Sequence, residues 1–446
     1  MGTKRHLSAG LLMAGILVLF SSCGKEDLIS GGEVTPDGGN SGRLLYLTAS
    51  AQDFTDMETG TRASESGTTI SFGNGDAIGV FGVKGGSLVC NNLRFTTSNG
   101  STWSGPEIFH ESGTTYFAYY PYESGMNGKT SLAAIQSDFE SRLNSNPDQG
   151  NQANYMTYCK LLVSTSSVSP AGDKLSFAFK HALAMVEVVL PDKLSGTMSA
   201  NGGNFAVYSP SSITTSFSLG GSSSFYNISG KTYRRIVKPG TSQSFKATLC
   251  GRFDYTNSPT VSAGNYKKIT LGNVSGTVQV GDFAYGANGG TLSFFPGSTT
   301  TDAPDKASCI GLVAAVGQFG SHGMVVAKTS AATALWANRA TTISNYSPKA
   351  PSGYSWGLPS IAELRYLATG STSGSASGTS MRDQLDPYFL KADGSKWVTD
   401  SGGWHWTSEQ ETTGYTRGPY RISFVSGLLY SQADASDIKA RLTFNF

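Results

Sequence analysis

The stretch "KLSFAFKHALAMVEVVL", residues 174–190, decides the reading of the fold. Leu175, Phe177 and Phe179 alternate with Ser176, Ala178 and Lys180, the period of two that gives a strand one apolar and one wet face. Comparable short runs lie on both sides: "RLLYLTASA" at 43–51, "AIGVFGV" at 77–83, "TTYFAYYPY" at 114–122, "SFKATLC" at 244–250 and "YKKITL" at 266–271. Clusters of Gly, Asn and Ser separate them, so the region from 44 to about 275 reads as short strands packed into β-sandwiches. No repeat of 20 to 50 residues accompanies the pattern, which excludes a solenoid or propeller.

Past residue 330 the pattern changes. Ser360-Ile361-Ala362-Glu363 is a capping box, with Ile361, Leu364 and Leu367 at helical spacing behind it. A second helix is expected over Ala331 to Asn338 and a third around Met381 to Leu385. Five of the six tryptophans, Trp336, Trp356, Trp397, Trp404 and Trp406, also fall here.

The N-terminus reads as an export signal. Lys4 and Arg5 precede the apolar run Leu11 to Phe20, then Ser21, Ser22 and Cys23. The run is too short for a membrane-spanning helix, which needs about 20 residues. Leu19-Phe20-Ser21-Ser22-Cys23 resembles a bacterial lipobox, which implies acylation of Cys23. Acyl chains contribute about 0.8 kcal/mol per buried CH₂, enough for several chains on one cysteine to fix a protein to a membrane. Gly24-Lys25-Glu26-Asp27 looks like the signal that sends Bacteroidota lipoproteins to the outer face of the outer membrane. The Gly-, Ser- and Pro-rich residues up to 43 read as a flexible tether.

Composition excludes several functions. Removing residues 1–22 takes Lys4 and Arg5 and no acidic residue, which leaves 31 basic and 31 acidic side chains and no excess positive charge to neutralise nucleic-acid phosphates. Besides Cys23, Cys90, Cys159, Cys250 and Cys309 are widely spaced and contain no CxxC, so zinc ligation has no support. Disulfides and buried free thiols stay open as alternatives. The five histidines include no HExxH. Gly353-Tyr354-Ser355-Trp356-Gly357 matches G-x-S-x-G, but Leu358-Pro359 delays the helix that a nucleophile elbow requires directly after its serine. No catalytic residue, cofactor or metal is expected, and the chain does not read as an enzyme.

Four stretches in the β-rich part together resemble the fimbrillin family of Bacteroidota surface pili: "TRA" at 61–63, "FGNGDAIGVFG" at 72–82, "YFAYYPY" at 116–122 and "FKHALAMVEV" at 179–188. The resemblance implies two transthyretin-like Greek-key sandwiches, expected at 44–160 and 161–278. It also implies donor-strand assembly: the first strand, Leu44 to Phe54, is a placeholder, a protease cuts between Arg62 and Ala63, the strand leaves, and a strand of another subunit enters the groove. Edge chemistry explains the capture, because a sheet lacking one strand exposes unpaired N–H and C=O groups beside an apolar slot. Arg43 competes as a cut site, although cleavage there would leave the strand in place. His181, inside the family's F-x-H-x-x-A strand, reads as structural.

Residues 279–446 resemble the C-terminal domain of Legionella collagen-like adhesins, through "VGDFAYGANGGTL" at 280–292, "GYSWGLPSIAEL" at 353–364 and "WHWTSE" at 404–409. This implies an α+β C-type-lectin-like module. The EPN, QPD and WND motifs of calcium-dependent lectins are absent from it. Trp397, Trp404 and Tyr415 are the candidate ligand contacts, for a glycan or host protein, and Trp406 reads as core. "ARLTFNF" at 440–446 alternates like a strand and is expected to close the last domain, which favours a fimbrial tip adhesin over a stalk subunit. The competing expectation is a stand-alone outer-membrane lipoprotein that binds its ligand without polymerising.

Overall fold

The computed structural model describes residues 42–57, 70–333, 335–373, 380–397, 403–413, 418–424, 428–431 and 438–446. The signal, Cys23 and residues 24–41 of the tether lie outside them. The chain is mainly β with few helices.

The first region carries β1 (Tyr46–Ala51), β2 (Thr55–Asp56), β3 (Ala77–Lys84), β4 (Ser87–Thr97), β5 (Trp103–Ser104), β6 (Thr115–Tyr120), α1 (Leu132–Ser141), α2 (Gln152–Cys159), β7 (Leu162–Ser164) and β8 (Lys174–His181). Its sheet has the order β1-β8-β7-β6-β3-β4-β5. β8 follows the expected alternation, with Leu175, Phe177 and Phe179 buried. Phe72 meets Trp103, Tyr120 and Phe179 edge to face. The sheet takes strands from both sides of residue 160.

The helices α1 and α2 depart from the all-strand expectation for this region. Ser131 and Asn151 each accept a backbone N–H at the third helical residue, which satisfies an otherwise orphaned donor. Ile135 and Phe139 then press α1 into the core. The run 174–190 also breaks at Ala182-Leu183, where the chain passes from one sheet to another.

β9 (Ala184–Val189), β10 (Ser195–Ala200), β11 (Gly203–Val207), β12 (Thr215–Leu219), β13 (Tyr226–Asn227), β14 (Thr232–Val237), β15 (Phe245–Leu249), β16 (Phe253–Asn257), β17 (Asn265–Thr270) and β18 (Asn273–Thr277) form the second region. Five strands pair as β13-β14-β9-β17-β2 and three as β12-β15-β16. The central strand β9 carries Glu187, buried and ion-paired with Arg234 on β14 at 2.8 Å, while Lys268 on β17 stands 3.8 Å away.

The last region adds β19 (Phe283–Tyr285), β20 (Ser293–Phe295), β21 (Gly311–Val316), β22 (Gly323–Ala327), α3 (Arg339–Asn345), α4 (Ile361–Thr369), α5 (Met381–Lys391), β23 (Trp404–Glu411), β24 (Gly418–Ser423), β25 (Leu429–Ser431) and β26 (Thr443–Asn445). An eight-stranded sheet, β18-β10-β11-β20-β19-β21-β22-β26, crosses residue 278 and joins the second region to the last through the parallel pair β11 and β20. β19, β21 and β22 are apolar along nearly their whole length because both faces are covered. The strands β23, β24 and β25 form a separate small sheet.

The capping box forms as expected: the Ser360 N–H donates to Glu363 Oε2 at 2.7 Å and the Glu363 N–H to Ser360 Oγ at 3.2 Å, and Gly370 ends α4 in the left-handed region at φ 77°. The helix expected over Ala331 to Asn338 instead begins with a 3₁₀ turn at Trp336–Asn338 and continues as α3. Ala331 is held extended by a bridge to Ala440, so the helix can start only after it. α5 confirms the third helix and runs further, to Lys391.

The thiols of Cys90, Cys159, Cys250 and Cys309 are free. Burial pushes Cys159 up to about 11 and Cys309 up to about 12, so both are neutral and unreactive at physiological pH.

Candidate functional site: the groove beneath the first strand

The segment 43–57 lies along the edges of two sheets. β1 runs parallel to β8 from Tyr46↔Lys174 to Ala51↔Phe179. Its alternation is plain: Leu45 and Leu47 are buried, Ala49 and Ala51 half-buried, and Tyr46, Thr48 and Ser50 exposed. Leu45 and Leu47 share one apolar cluster with Ile78, Phe95, Trp103 and Phe177. Backbone bonds extend beyond the strand, from Tyr46 N–H to Asp173 O at 2.7 Å and from Gln52 N–H to Phe179 O at 2.9 Å.

The chain then crosses to the second region. Thr55 N–H donates to Gly264 O at 3.0 Å and Met57 N–H to Tyr266 O at 3.1 Å, which makes β2 the edge strand beside β17. Between the two edges Phe54 enters the core where the regions meet, 2% exposed, among Phe81, Phe139, Tyr155, Leu183 and Tyr266. Its ring lies flat on His181, with centroids 3.7 Å apart and planes 8° from parallel. His181 Nδ1 stands 2.8 Å from the Cys159 carbonyl oxygen, which can only accept, so that nitrogen carries the proton and the imidazole face is turned to Phe54. His181 is therefore the structural residue that its sequence context suggested.

The segment is bound through backbone ladders and apolar side chains, the two elements that any strand of suitable pattern can supply. Sequence reading ended the placeholder at Phe54. The pairing runs on through Thr55 and Asp56, and the signal that could have found this is the polar "TD" directly before the next gap in pattern. The contact of Phe54 with His181, far apart in sequence, had no local signal.

Arg62 and Ala63 lie outside the described residues. Arg43 is described, and its carbonyl accepts the His110 N–H at 2.8 Å while Leu45 N–H donates to Ile108 O at 2.9 Å. A serine-protease substrate must present its backbone extended and unpaired, so the Arg43–Leu44 bond is shielded by this pairing.

In the last region Trp397 is 2% exposed and stacked on Phe424 at 4.3 Å, so it belongs to the core and presents no face to a ligand. Trp406 is core, as expected. Trp404 is half-buried: Arg421 lies 4.3 Å over its ring and Tyr430, 48% exposed, meets it edge to face at 5.1 Å. Tyr415 lies outside the described residues. Residues 440–446 are buried apart from Asn445: β26 pairs with β22, and Leu442, Phe444 and Phe446 lie in the core. The guanidinium of Arg441, fully buried, donates to the carbonyls of Ala327, Lys328 and Ser395 at 2.8 to 3.0 Å; burial lowers it to about 9, which leaves it charged at neutral pH.

Among the described residues no cluster of His, Cys, Asp and Glu could hold a metal ion, and no helix is long and apolar enough to cross a membrane.

The chain is 29% identical over 335 residues to a Bacteroides ovatus protein named "Putative fimbrium tip subunit Fim1C"; the match covers 69% of this chain and 59% of that protein's length. Among solved structures, a fimbrial protein from Bacteroides ovatus is 21% identical, with 92% of this chain and all of the other covered at a TM-score of 0.36. The tip fimbrial protein Mfa3 from Porphyromonas gingivalis is 9% identical, with 48% of this chain and 81% of the other covered at a TM-score of 0.21. The profile of the family described as fimbrillin-like matches residues 61–283, half of the sequence, and the chain belongs to that family.

Proposed function

We propose that this protein is a surface fimbrial subunit that sits at the fimbrial tip and accepts a strand from its neighbour after losing its own first strand. The observation that carries the reading is the seating of residues 43–57. One continuous segment occupies the edge of the seven-stranded sheet and the edge of the five-stranded sheet, and puts Phe54 between them. Cleavage after Arg62 would convert that segment from part of the chain into a bound peptide. Its departure would expose the N–H and C=O groups along β8 and β17 together with the slots of Leu45, Leu47 and Phe54, a surface that captures another strand of matching pattern.

The tip assignment draws on the Bacteroides ovatus relative and on the commitment of residues 440–446 to the eight-stranded sheet, which removes that segment as a strand to donate. In this proposal Cys23 carries the lipid that brings the precursor to the outer membrane surface, the sandwiches form the assembling part, and the lectin-like last region carries the adhesive surface, with the exposed ring of Tyr430 beside the half-buried Trp404. The partners are other fimbrial subunits and a glycan or host protein.

N-terminal sequencing of the protein recovered from fimbriae and from membranes tests it. Assembled material is expected to begin at Ala63 and to have lost residues 43–57, while precursor retains an acylated Cys23. Fimbriae whose subunits all keep residues 43–57 would refute strand exchange.

A further inference from the structure

A cleft of about 680 Å³ opens in the last region between residues 329–333 and α3. Its volume is that of a small-molecule site, about 300–1,000 Å³. The α3 sequence "RATTISN" has no apolar stripe; it places Thr341, Thr342 and Asn345, with Asn338 one turn earlier, at the i, i+3, i+4 and i+7 positions of one face, and all four line the cleft. The facing wall brings Thr329 and Ser330.

Both walls are fixed to the core. Tyr346, 6% exposed, lies at the cleft and its hydroxyl stands 3.0 Å from Thr329 Oγ1 and 3.1 Å from Thr329 O, which ties the end of α3 to the facing wall. Ala331 N–H donates to Ala440 O at 2.8 Å. Trp336 Nε1 donates to Thr407 O at 2.9 Å, and the Arg339 guanidinium lies 3.5 Å over the same indole, which anchors the start of the helix. A cleft braced in this way needs no ligand to keep its shape, so binding costs little ordering.

The chemistry of the lining selects the ligand. The described lining residues offer hydroxyls and carboxamides and include no carboxylate, ammonium or guanidinium. The guanidinium of Arg441 stands behind this lining and donates to Ser330 Oγ at 3.4 Å, but its other donors are committed to the carbonyls of Ala327, Lys328 and Ser395, so a charged ligand would lose water and meet no charged side chain in the lining itself. A neutral polyhydroxylated one would meet donors and acceptors together, because a hydroxyl serves as both and an Asn amide can give and take one bond to neighbouring hydroxyls. We propose that this cleft binds a neutral carbohydrate and is the recognition site of the last region, distinct from the rings of Trp404 and Tyr430; its biological role rests on the adhesin reading above, whereas its chemistry does not.

Saturation-transfer NMR on the uncleaved full chain tests the proposal, with glucose, galactose, mannose and N-acetylglucosamine and their neutral disaccharides as probes, and with sialic acid and a Ser/Thr-rich peptide as controls. Transfer is expected from at least one neutral sugar and from neither control, and it should fall at least tenfold in Asn345→Leu and in the isosteric Asn345→Asp, with the melting midpoint unchanged. Asn345 is exposed, so neither substitution threatens the fold. Silence from every neutral sugar, transfer that survives both substitutions, or a response to the peptide or sialic acid alone overturns it. Because the measurement uses unprocessed monomer, loss of strand exchange leaves its outcome untouched, and assembly without sugar binding sinks the cleft alone.

Discussion

Phe54→Ala is the sharpest probe of the proposed release of the first strand. The ring is 2% exposed and stacked at 3.7 Å on His181, and its removal leaves a cavity among rigid aromatic neighbours, so the loss should be at the usual cost of a buried Phe→Ala, about 3–5 kcal/mol. In the intact chain that energy appears as lowered stability of the contact between the first two regions. After limited trypsin cleavage aimed at Arg62, the same energy belongs to a peptide held only by non-covalent contacts. It should then appear in dissociation, where affinity changes are mostly expressed, as a release roughly 150- to 5,000-fold faster. Mass spectrometry of the gel-filtered nicked protein, timed from the cut, measures that release. His181→Ala adds a control: a double-mutant cycle should return a coupling of about 0.5–1.5 kcal/mol for the stacked pair. If nicked Phe54→Ala protein keeps its segment as long as wild type while the intact variant melts lower, Phe54 supports the joint between regions and does not latch the strand, and the reasoning fails.

Three further outcomes follow from the same geometry. Arg62→Gln should abolish processing on intact cells and Arg43→Gln should not, because the backbone around Arg43 is already paired; immunoblots for the shortened chain decide it, and loss of processing in Arg43→Gln would overturn the assignment. Glu187→Ala removes the carboxylate that Arg234 meets at 2.8 Å in the interior, which should cost about 3–5 kcal/mol in denaturant titration, and a cost under about 1 kcal/mol would mean that the pair is not a desolvated one. His405 is fully buried and desolvation lowers it from 6.5 to about 3, so the folded protein keeps it neutral where the unfolded chain protonates it. Its contribution is complete above pH 6.5 and is lost as pH falls toward 3, by up to about 5 kcal/mol; His405→Gln should flatten that part of the stability curve relative to wild type, and parallel curves would refute the shift.

Strand content was legible because the alternation at Leu175, Phe177 and Phe179 is a local consequence of one buried face. The cap at Ser360 and the left-handed Gly370 were equally local signals, and they bound α4 as the residues say. What escaped reading depended on distant partners. Nothing within "KLSFAFKHALAMVEVVL" marks Ala182-Leu183 as the crossing between sheets, since both halves are apolar and only their partners differ: β7 and β1 on one side, β14 and β17 on the other. Ala331 sits in a helix-friendly stretch and is extended because Ala440 pairs with it. α1 is the opposite case: Ser131 followed by Ile135 and Phe139 was a usable signal, obscured by the strand-rich context around it. Of the candidate contacts, Trp397 shows the limit of composition, because a tryptophan's size favours burial as readily as it favours stacking on a ligand.

The two joints of the chain are built differently, and the difference suits the proposed assembly. The second and last regions share a continuous sheet through β11 and β20 and one apolar cluster that runs from Ala184 to Phe446, so turning one against the other means breaking ladder hydrogen bonds and opening a core. The first and second regions meet through an aromatic core into which Phe54 is inserted by the very segment that would leave. Removal of that segment would therefore weaken the first joint and leave the second intact, so the vacancy and the mobility it creates would arise at the end proposed to take up a neighbour's strand, while the last region, proposed to bear the ligand site, would stay in its original geometry. An incoming strand that places an aromatic side chain three residues beyond its last β8-paired position would restore the joint as well as the sheet; one that stops at the sheet edge would leave the Phe54 slot hollow, at a cost close to that of Phe54→Ala.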